Sequence, residues 1–211
     1  MVYLCTLLIM SIERKVRLVE KLFSCLENEI STFKQQFDIN CISGCGKCCT
    51  KSDIEASPLE FLPWAFHLFL NGKAEEMLTE LKGKSSPICN IYQPLSLIDI
   101  NSGSCGDYQY RGLICRLFGH AATKDKYGKL RLATCTIIKE KKANNYKNSV
   151  EAIEKGTYIP IFTDYYMQLS QIDFNLGNSI LPINKALETA LIEVLSYYAY
   201  RPLPNGFKKQ A

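Results

Sequence analysis

The chain has 211 residues, 47% of them hydrophobic and 22% charged, and a formal net charge of +4 at pH 7. The length is enough for a sizeable core, and the composition is that of an ordinary soluble globular protein. The charge balance is too even to favour a nucleic acid or an anionic membrane as a partner. We therefore expect a single domain over residues 1–211.

Ten cysteines are many for a chain of this size, and their interpretation depends on the cellular compartment. The first ten residues, MVYLCTLLIM, are apolar but too short to span a bilayer. They have no basic residues ahead of the apolar run and no small-residue cleavage site after it, so they make a poor signal peptide. A start at Met10 would make the first nine residues an upstream extension. We expect a cytoplasmic protein without a membrane partner, in which clustered cysteines bind metal or take part in redox chemistry.

Residues 1–40 are predicted to contain one long amphipathic helix. Apolar residues recur in steps of four and three from Ile12 to Phe37, which is the spacing of a single buried stripe. Packing inside a helical domain is favoured over a dimeric coiled coil, because a coiled coil needs more heptads. We expect the helix to end near residues 38–40, just before the first cysteine cluster.

Residues 41–136 form the predicted cysteine-cluster region. It opens with CISGCGKCC, in which short loops can bring several thiolates to one point at low entropic cost. Ser57, Pro58 and Glu60 then predict a helix start, a buried apolar helix to residue 70 and a short helix over 73–81. From residue 84 we expect irregular loops with short strands, one of them at 129–134. Such loops have few apolar runs and need something else to hold them together, which a metal site can supply.

Residues 137–211 are predicted to be helical after a solvated surface loop. The lysines and asparagines of residues 139–147 favour that loop over a nucleic-acid patch. Helices are expected over 149–155, 162–172 and 182–200. The predicted fold class is therefore mainly α: a helical domain with a loop-rich, cysteine-bound metal-binding insert and short strands.

Eight of the ten cysteines form the predicted metal site: Cys41, Cys45, Cys48, Cys49, Cys89, Cys105, Cys115 and Cys135. Zinc and a [4Fe–4S] cluster each take four ligands, so eight thiolates suit two centres, or one cluster with ligands to spare. Neighbouring side chains diverge, so the adjacent pair Cys48 and Cys49 favours two centres or one thiol left free. Cys5 and Cys25 are interpreted as small buried or bystander thiols.

Basic residues beside the cysteines can hold sulfur in the thiolate form. Arg111 and Arg116 are the candidates for contact with a bound metal group, and Lys47 is a weaker one. His120 is a possible further ligand, whereas His67 lies in an apolar helix. A lone histidine is more often a hydrogen-bonded structural residue.

The run CISGCGKCC, then Cys89, then SCGDYQYRGLICRLF and a final Cys135 resembles the YkgJ-type cysteine-cluster proteins, a family described as zinc- or iron-chelating. The family pattern has two cysteines ahead of a Cys-Cys pair and a later segment Cys-x-x-Tyr-x-x-Arg-Pro-x-x-Cys-Arg-x-Phe. The residues of that later segment are matched here by Cys105, Tyr108, Arg111, Cys115, Arg116 and Phe118. The resemblance covers residues 41–135. One position departs from it, because Gly112 stands where the family has the turn-stiffening proline.

The resemblance also implies an alternative to simple metal binding. Related flagellin lysine N-methylases share the cysteine motif, so an iron–sulfur-dependent protein lysine N-methylase or redox catalyst stays open, as does an unidentified protein partner. Against catalysis, the sequence has no glycine-rich strand-to-helix turn for an adenosyl cofactor. The spacing of Cys41, Cys45 and Cys48 is similar to that of radical S-adenosylmethionine enzymes, but the strand–helix alternation of their barrel is missing.

Overall fold

The computed structural model describes residues 10–42, 44–96, 98–99 and 101–207 of the chain. The expectations for the apolar N-terminal segment, for Cys5 and for the translation start concern residues 1–9, which lie outside the described residues. Within the described part, no helix is both long enough and apolar enough to cross a membrane.

The structure is mainly helical, as the sequence predicts, with 55% of it in helices. The described residues contain nine α-helices: α1 (Ile12–Phe37), α2 (Leu62–Leu70), α3 (Ala74–Gly83), α4 (Leu113–Leu117), α5 (Thr136–Lys141), α6 (Ala143–Glu154), α7 (Phe162–Ile172), α8 (Phe174–Asn178) and α9 (Ile183–Tyr198). The strands form three short antiparallel pairs: β1 (Glu55–Ala56) with β6 (Leu181–Pro182), β2 (Tyr92–Pro94) with β3 (Gly103–Cys105), and β4 (Ala121–Lys124) with β5 (Leu130–Ala133).

Helix α1 is the long helix that the heptad spacing predicts. It begins after Ser11, whose hydroxyl accepts a hydrogen bond from the Arg14 amide at 3.3 Å. It ends at Asp38, whose left-handed backbone (φ 48°) lets its amide donate to the Lys34 carbonyl at 2.8 Å. Its buried stripe packs inside the chain, against α2 and α7, and consists of Ile12, Val16, Val19, Leu22, Phe23, Leu26, Ile30 and Phe33.

Two hydrophobic cores divide the molecule. The main core lies between α1, α2 and α9 and encloses the fully buried Trp64. Cys89 and Cys105 pack against this main core. The small core lies at the C-terminal end of α1, and Cys135 packs against it; its buried members are Phe33, Ile39, Ala122, Leu132, Ile138, Ile153 and Ile159. The cysteine-rich segments therefore rest on two separate packing units.

The turn before α2 contains the interaction that Ser57 and Glu60 predict. Pro58–Phe61 form one 3₁₀ turn, and the Ser57 amide donates to the Glu60 carboxylate at 2.8 Å. Glu60 itself is fully buried. A buried carboxylate needs further donors, and these come from distant segments described below.

The predicted surface loop over residues 139–147 is wrong, because α5 and α6 occupy it. Ile138, Tyr146 and Ile153 recur at helical spacing and pack in the small core. This packing overrides the low helix propensity of asparagine, and lysine is itself a good helix former. The helix expected at 149–155 accordingly begins earlier. The strand expected at 129–134 is found as β5, whereas α4 and α8 were not predicted. Of the two interpretations of Cys25, a buried thiol is wrong, because Cys25 is exposed.

Candidate metal centre

The CISGCGKCC segment lies against the β2–β3 hairpin. Cys45 forms an antiparallel bridge with Ser102. The Gly46 amide donates to the Asn101 carbonyl at 2.7 Å, and the Gly103 amide donates to the Gly44 carbonyl at 2.9 Å. The first cysteines are thus held beside β3, whose last residue is Cys105.

Two glycines make this close approach possible. A Cβ atom on Gly46 would lie 2.3 Å from the ring of Tyr92, and one on Gly103 would lie 2.2 Å from its hydroxyl oxygen. Real side chains do not approach so closely, so the Tyr92 ring occupies the space that both residues leave open. Glycine at position 46 is therefore required by packing against Tyr92.

Cys41 has three other thiols within electrostatic range, and we call Cys41, Cys45, Cys48 and Cys135 the first thiol group. Burial raises the pKa of Cys41, and the nearby thiols of Cys48, Cys135 and Cys45 raise it further. Cys135 joins this group across more than eighty residues of chain, at the residue that precedes α5.

The other four thiols form a second group, which consists of Cys49, Cys89, Cys105 and Cys115. Burial raises the pKa of Cys89 to about 11. A backbone hydrogen bond opposes this rise, and the nearby Cys105 thiol adds to it. Part of Cys115 reaches solvent, yet desolvation by the surrounding protein, the thiol of Cys89 and the carboxylate of Glu60 raise its pKa. Neighbouring thiols disfavour a second negative charge, so deprotonation of the whole group requires a cation.

The adjacent residues Cys48 and Cys49 connect the two groups. A hydrogen bond from the Cys49 thiol lowers the pKa of Cys48 to about 6, although burial acts in the opposite direction. The same bond, with burial, raises the pKa of Cys49. Cys48 interacts with Cys41 on one side and with Cys115 on the other. The two side chains therefore lie within hydrogen-bond distance of each other, and their divergence toward two centres stays a prediction.

The thiols are gathered but do not stand at coordinating distances. Among the described residues, no three His, Cys, Asp or Glu side chains are arranged so that they could hold a metal ion without moving. The nine described cysteines are all free thiols. The donor set suits zinc or an iron–sulfur cluster, both of which accept four thiolates. Side-chain rotation and loop movement would have to accompany binding, as is common for cysteine-rich metal sites.

Arg111 and Arg116 are held by one carboxylate on α1. Glu27 Oε1 accepts from Arg111 Nη2 at 2.9 Å and from Arg116 Nη1 at 2.5 Å. Arg116 also donates to the carbonyls of Gln109 and Arg111, at 2.6 and 3.0 Å. These bonds tie the segment between Cys105 and Cys115 to the long helix.

The cations nevertheless lie within electrostatic range of thiols. Arg111 favours the ionised form of Cys105, and Lys34 does the same for Cys41. Lys34 lies on α1, outside the cysteine motif, so its place beside Cys41 has no local signal in the sequence. Lys47, within the motif, is exposed. A contact of Arg111 or Arg116 with a bound metal group stays a prediction.

The two histidines have different surroundings. His67 Nδ1 lies 2.8 Å from the Tyr110 hydroxyl, and the two rings stack, which gives His67 a structural role. His120 is buried, and its Nδ1 has no hydrogen-bond partner among the described residues. Burial, Lys34 and Arg111 lower the pKa of His120 to about 3, so the ring is neutral.

Three side chains far from the cysteines in sequence hold the segments that carry the second thiol group: Trp64 and Glu60, which are buried, and Asn184, which is half-buried. Asn184 on α9 binds the backbone on both sides of Cys89. The Trp64 indole donates to Asp107 at 2.7 Å, two residues after Cys105. Glu60 accepts from the amide of Ile114 at 2.8 Å, one residue before Cys115.

Gly112, which replaces the proline of the family pattern, lies at the start of α4 against Glu60. A Cβ atom there would be 2.8 Å from Phe61 Cζ and 2.9 Å from Glu60 Oε2. The backbone φ of −65° would suit proline. In this chain the space is occupied, so glycine is explained by the approach of Glu60 and Phe61 rather than by a looser turn.

A protein-family model covers residues 40–148, and it is the CxxCxxCC model, described as "Putative zinc- or iron-chelating domain". The matched range contains all eight cysteines of the two thiol groups. No curated protein and no solved structure matches the chain.

Proposed function

This chain belongs to the CxxCxxCC family of zinc- or iron-chelating domains, and from that premise we propose that it binds two metal centres through eight cysteine thiolates. The first centre would use Cys41, Cys45, Cys48 and Cys135. The second would use Cys49, Cys89, Cys105 and Cys115. Each centre would be a tetrahedral zinc ion or a [4Fe–4S] cluster, since four thiolates satisfy either.

The observation that carries the proposal is the grouping of these thiols from four separate parts of the chain. Cys135 interacts with Cys41, and Cys89 and Cys115 interact with Cys49. A core-building role would not require thiols to meet, because a buried cysteine packs as a small apolar residue. A metal-binding role requires it.

Nearby positive charge supports the same proposal. Four thiolates around one Zn²⁺ leave a formal charge of about −2, which cations stabilise. Lys34 lies near the first group and Arg111 near the second. Arg116, which is bound to Glu27, would act mainly by holding the chain around Cys115 in place. The free state of the described thiols agrees with a reducing compartment such as the cytoplasm.

Metal content is the direct test. The reduced chain, purified without oxygen, is expected to contain zinc, or iron with labile sulfide, at a stoichiometry that depends on the thiols. Replacing Cys115 or Cys135 with serine should lower that stoichiometry. Cys25→Ser is the matched control, because Cys25 is an exposed free thiol outside both groups and its loss should leave the metal content unchanged. Metal-free protein, or equal metal in all variants, would contradict the proposal.

An iron–sulfur-dependent enzyme is the alternative that the sequence leaves open. Its first requirement is iron, so the same experiment addresses it. A colourless zinc protein would exclude the cluster form, whereas a brown protein with labile sulfide would exclude structural zinc.

A further inference from the structure

The two thiol groups differ in how the backbone beside their cysteines is attached to the helices. Resting on the proposed function, we propose that the second thiol group is a tight structural centre that fills first, and that the first thiol group is a weaker centre that exchanges its metal. The distinction follows from the polar side chains that fix the backbone beside each cysteine.

Cys89 is held on both sides by one side chain. Asn184 on α9 accepts a hydrogen bond from the Asn90 amide at 2.8 Å through Oδ1. Its Nδ2 donates to the Ile88 carbonyl at 2.8 Å and to the Ser86 carbonyl at 3.0 Å. The carboxamide thus spans Cys89 and fixes it to a long helix of the main core.

Cys105 is held by a strand pairing and by an indole. Cys105 pairs with Tyr92 in the β2–β3 hairpin. Two residues later, Asp107 accepts from Nε1 of Trp64 at 2.7 Å. Trp64 is fully buried in the main core, so this anchor cannot move without disturbing the core packing.

Cys115 is held by Glu60. Oε2 of this fully buried carboxylate accepts from the Ile114 amide at 2.8 Å. Oε1 accepts from the Ser57 amide at 2.8 Å and from the Tyr166 hydroxyl at 2.9 Å. One side chain therefore joins the turn before α2, helix α7 and the first turn of α4, which carries Cys115.

The first thiol group has fewer side-chain anchors. The anchors nearest to Cys41 act three residues away, where Lys142 Nζ and Asn145 Nδ2 donate to the Asp38 carbonyl at 2.8 and 3.4 Å. Cys45 and its neighbours bind the backbone of residues 101–103, at the start of β3, and do so through backbone groups. Thr50 adds a bond of 3.3 Å to the exposed side chain of Asn101. Across the described residues, no helix side chain hydrogen-bonds to a residue adjacent to Cys41, Cys45 or Cys135.

The difference in attachment sets the order of binding. Donors that are already held near one another lose less conformational freedom when a metal gathers them. Outer-shell partners of this kind typically change metal affinity by about 10–100-fold. We therefore expect the second group to bind Zn²⁺ at least about tenfold more tightly than the first.

The test is a titration of the reduced, metal-free full-length chain with Zn²⁺ against a chromophoric chelator, with bound zinc counted by native mass spectrometry. Two separate steps are expected. Cys135→Ser should remove only the weaker step. Glu60→Gln should weaken only the tighter step, by about 10–100-fold, because the amide group of glutamine cannot accept from both Ser57 and Ile114.

Asn184→Asp provides an independent variant if Glu60→Gln does not fold. It keeps the acceptor for Asn90 but loses the donor to Ile88, and it should also weaken only the tighter step. Glu55→Gln, at an exposed position on β1, is the control for removal of a carboxylate and should change neither step. Two zinc ions bound in one step of equal affinity, or a weaker step that falls in Asn184→Asp, would overturn the inference while leaving metal binding intact. A wild-type chain that binds no zinc would instead overturn the proposed function.

Discussion

Gly112 gives the sharpest test of the packing beside Cys115. In Gly112→Ala the new Cβ would lie 2.8 Å from Phe61 Cζ and 2.9 Å from Glu60 Oε2. Neither neighbour can move aside easily, because Phe61 is 1% exposed and Glu60 is fully buried. Overpacking of this kind costs about 1–3 kcal/mol. For a chain of this length that corresponds to a Tm lower by about 2–12 °C.

Gly112→Pro, which restores the family residue, separates the two possible reasons for glycine. Proline adds the same Cβ, but the backbone φ of −65° already suits its ring. Proline also restricts the unfolded chain, which stabilises the folded protein by about 0.4–1 kcal/mol. Proline should therefore still destabilise the protein, but by less than alanine does. If the turn were the only constraint, proline would stabilise it.

Thermal unfolding followed by circular dichroism, with reductant and the same metal load in every sample, measures these effects. Gly83→Ala is the matched control, because it adds a methyl group in the last turn of α3 with nothing within 4 Å. It should be neutral or stabilising by up to about 1 kcal/mol. A Gly112→Ala protein as stable as the wild type would refute the argument from close packing.

Three further changes follow from the contacts around the site. Glu27→Gln should destabilise the chain by about 1–2 kcal/mol at pH 7, because it weakens charge-assisted hydrogen bonds to Arg111 and Arg116. Burial opposes ionisation of Glu27, but its bonds to the two arginines dominate and lower its pKa. The stability that Glu27 contributes is therefore present above its unfolded pKa of 4.5 and is lost as the pH falls through the folded pKa. In urea unfolding, the difference in unfolding free energy between wild type and variant should shrink below about pH 4. A difference that stays constant with pH would contradict this assignment. Trp64→Phe should lower the free energy of unfolding by about 1–3 kcal/mol or more, because Asp107 loses its indole donor. Asp107→Asn should lower it by less in the same assay, because the asparagine carbonyl oxygen can still accept from the indole. Cys25→Ser should change the free energy of unfolding by no more than about 0.5 kcal/mol, since it is an exposed residue outside both groups.

Local features of the fold could be predicted because their signals lie close together in sequence. The stripe of α1 repeats over seven turns, and the bond between Ser57 and Glu60 spans three residues. Helix α4 has only five residues, too few for a periodic pattern. Residues 139–147 read as a loop by composition, and only packing in the small core makes them helical.

The candidate site shows the same limit. The sequence identifies eight cysteines and indicates that Cys48 and Cys49 should diverge. It does not assign Cys135, the last cysteine, to the group of the first three. That assignment depends on how β5 and α5 pack beneath the end of α1. The anchors are further apart still: Glu60 and Ile114 are separated by 54 positions, and Asn184 and Ile88 by 96.

X-ray absorption at the metal edge tests the central claim most directly, because it reports the atoms bound to the metal. The account predicts a first shell made only of sulfur, with a distance of about 2.3 Å if the metal is zinc. Nitrogen or oxygen in that shell at the level of one ligand or more per metal would contradict coordination by the eight cysteines alone, and would bring the neutral ring of His120 into the site.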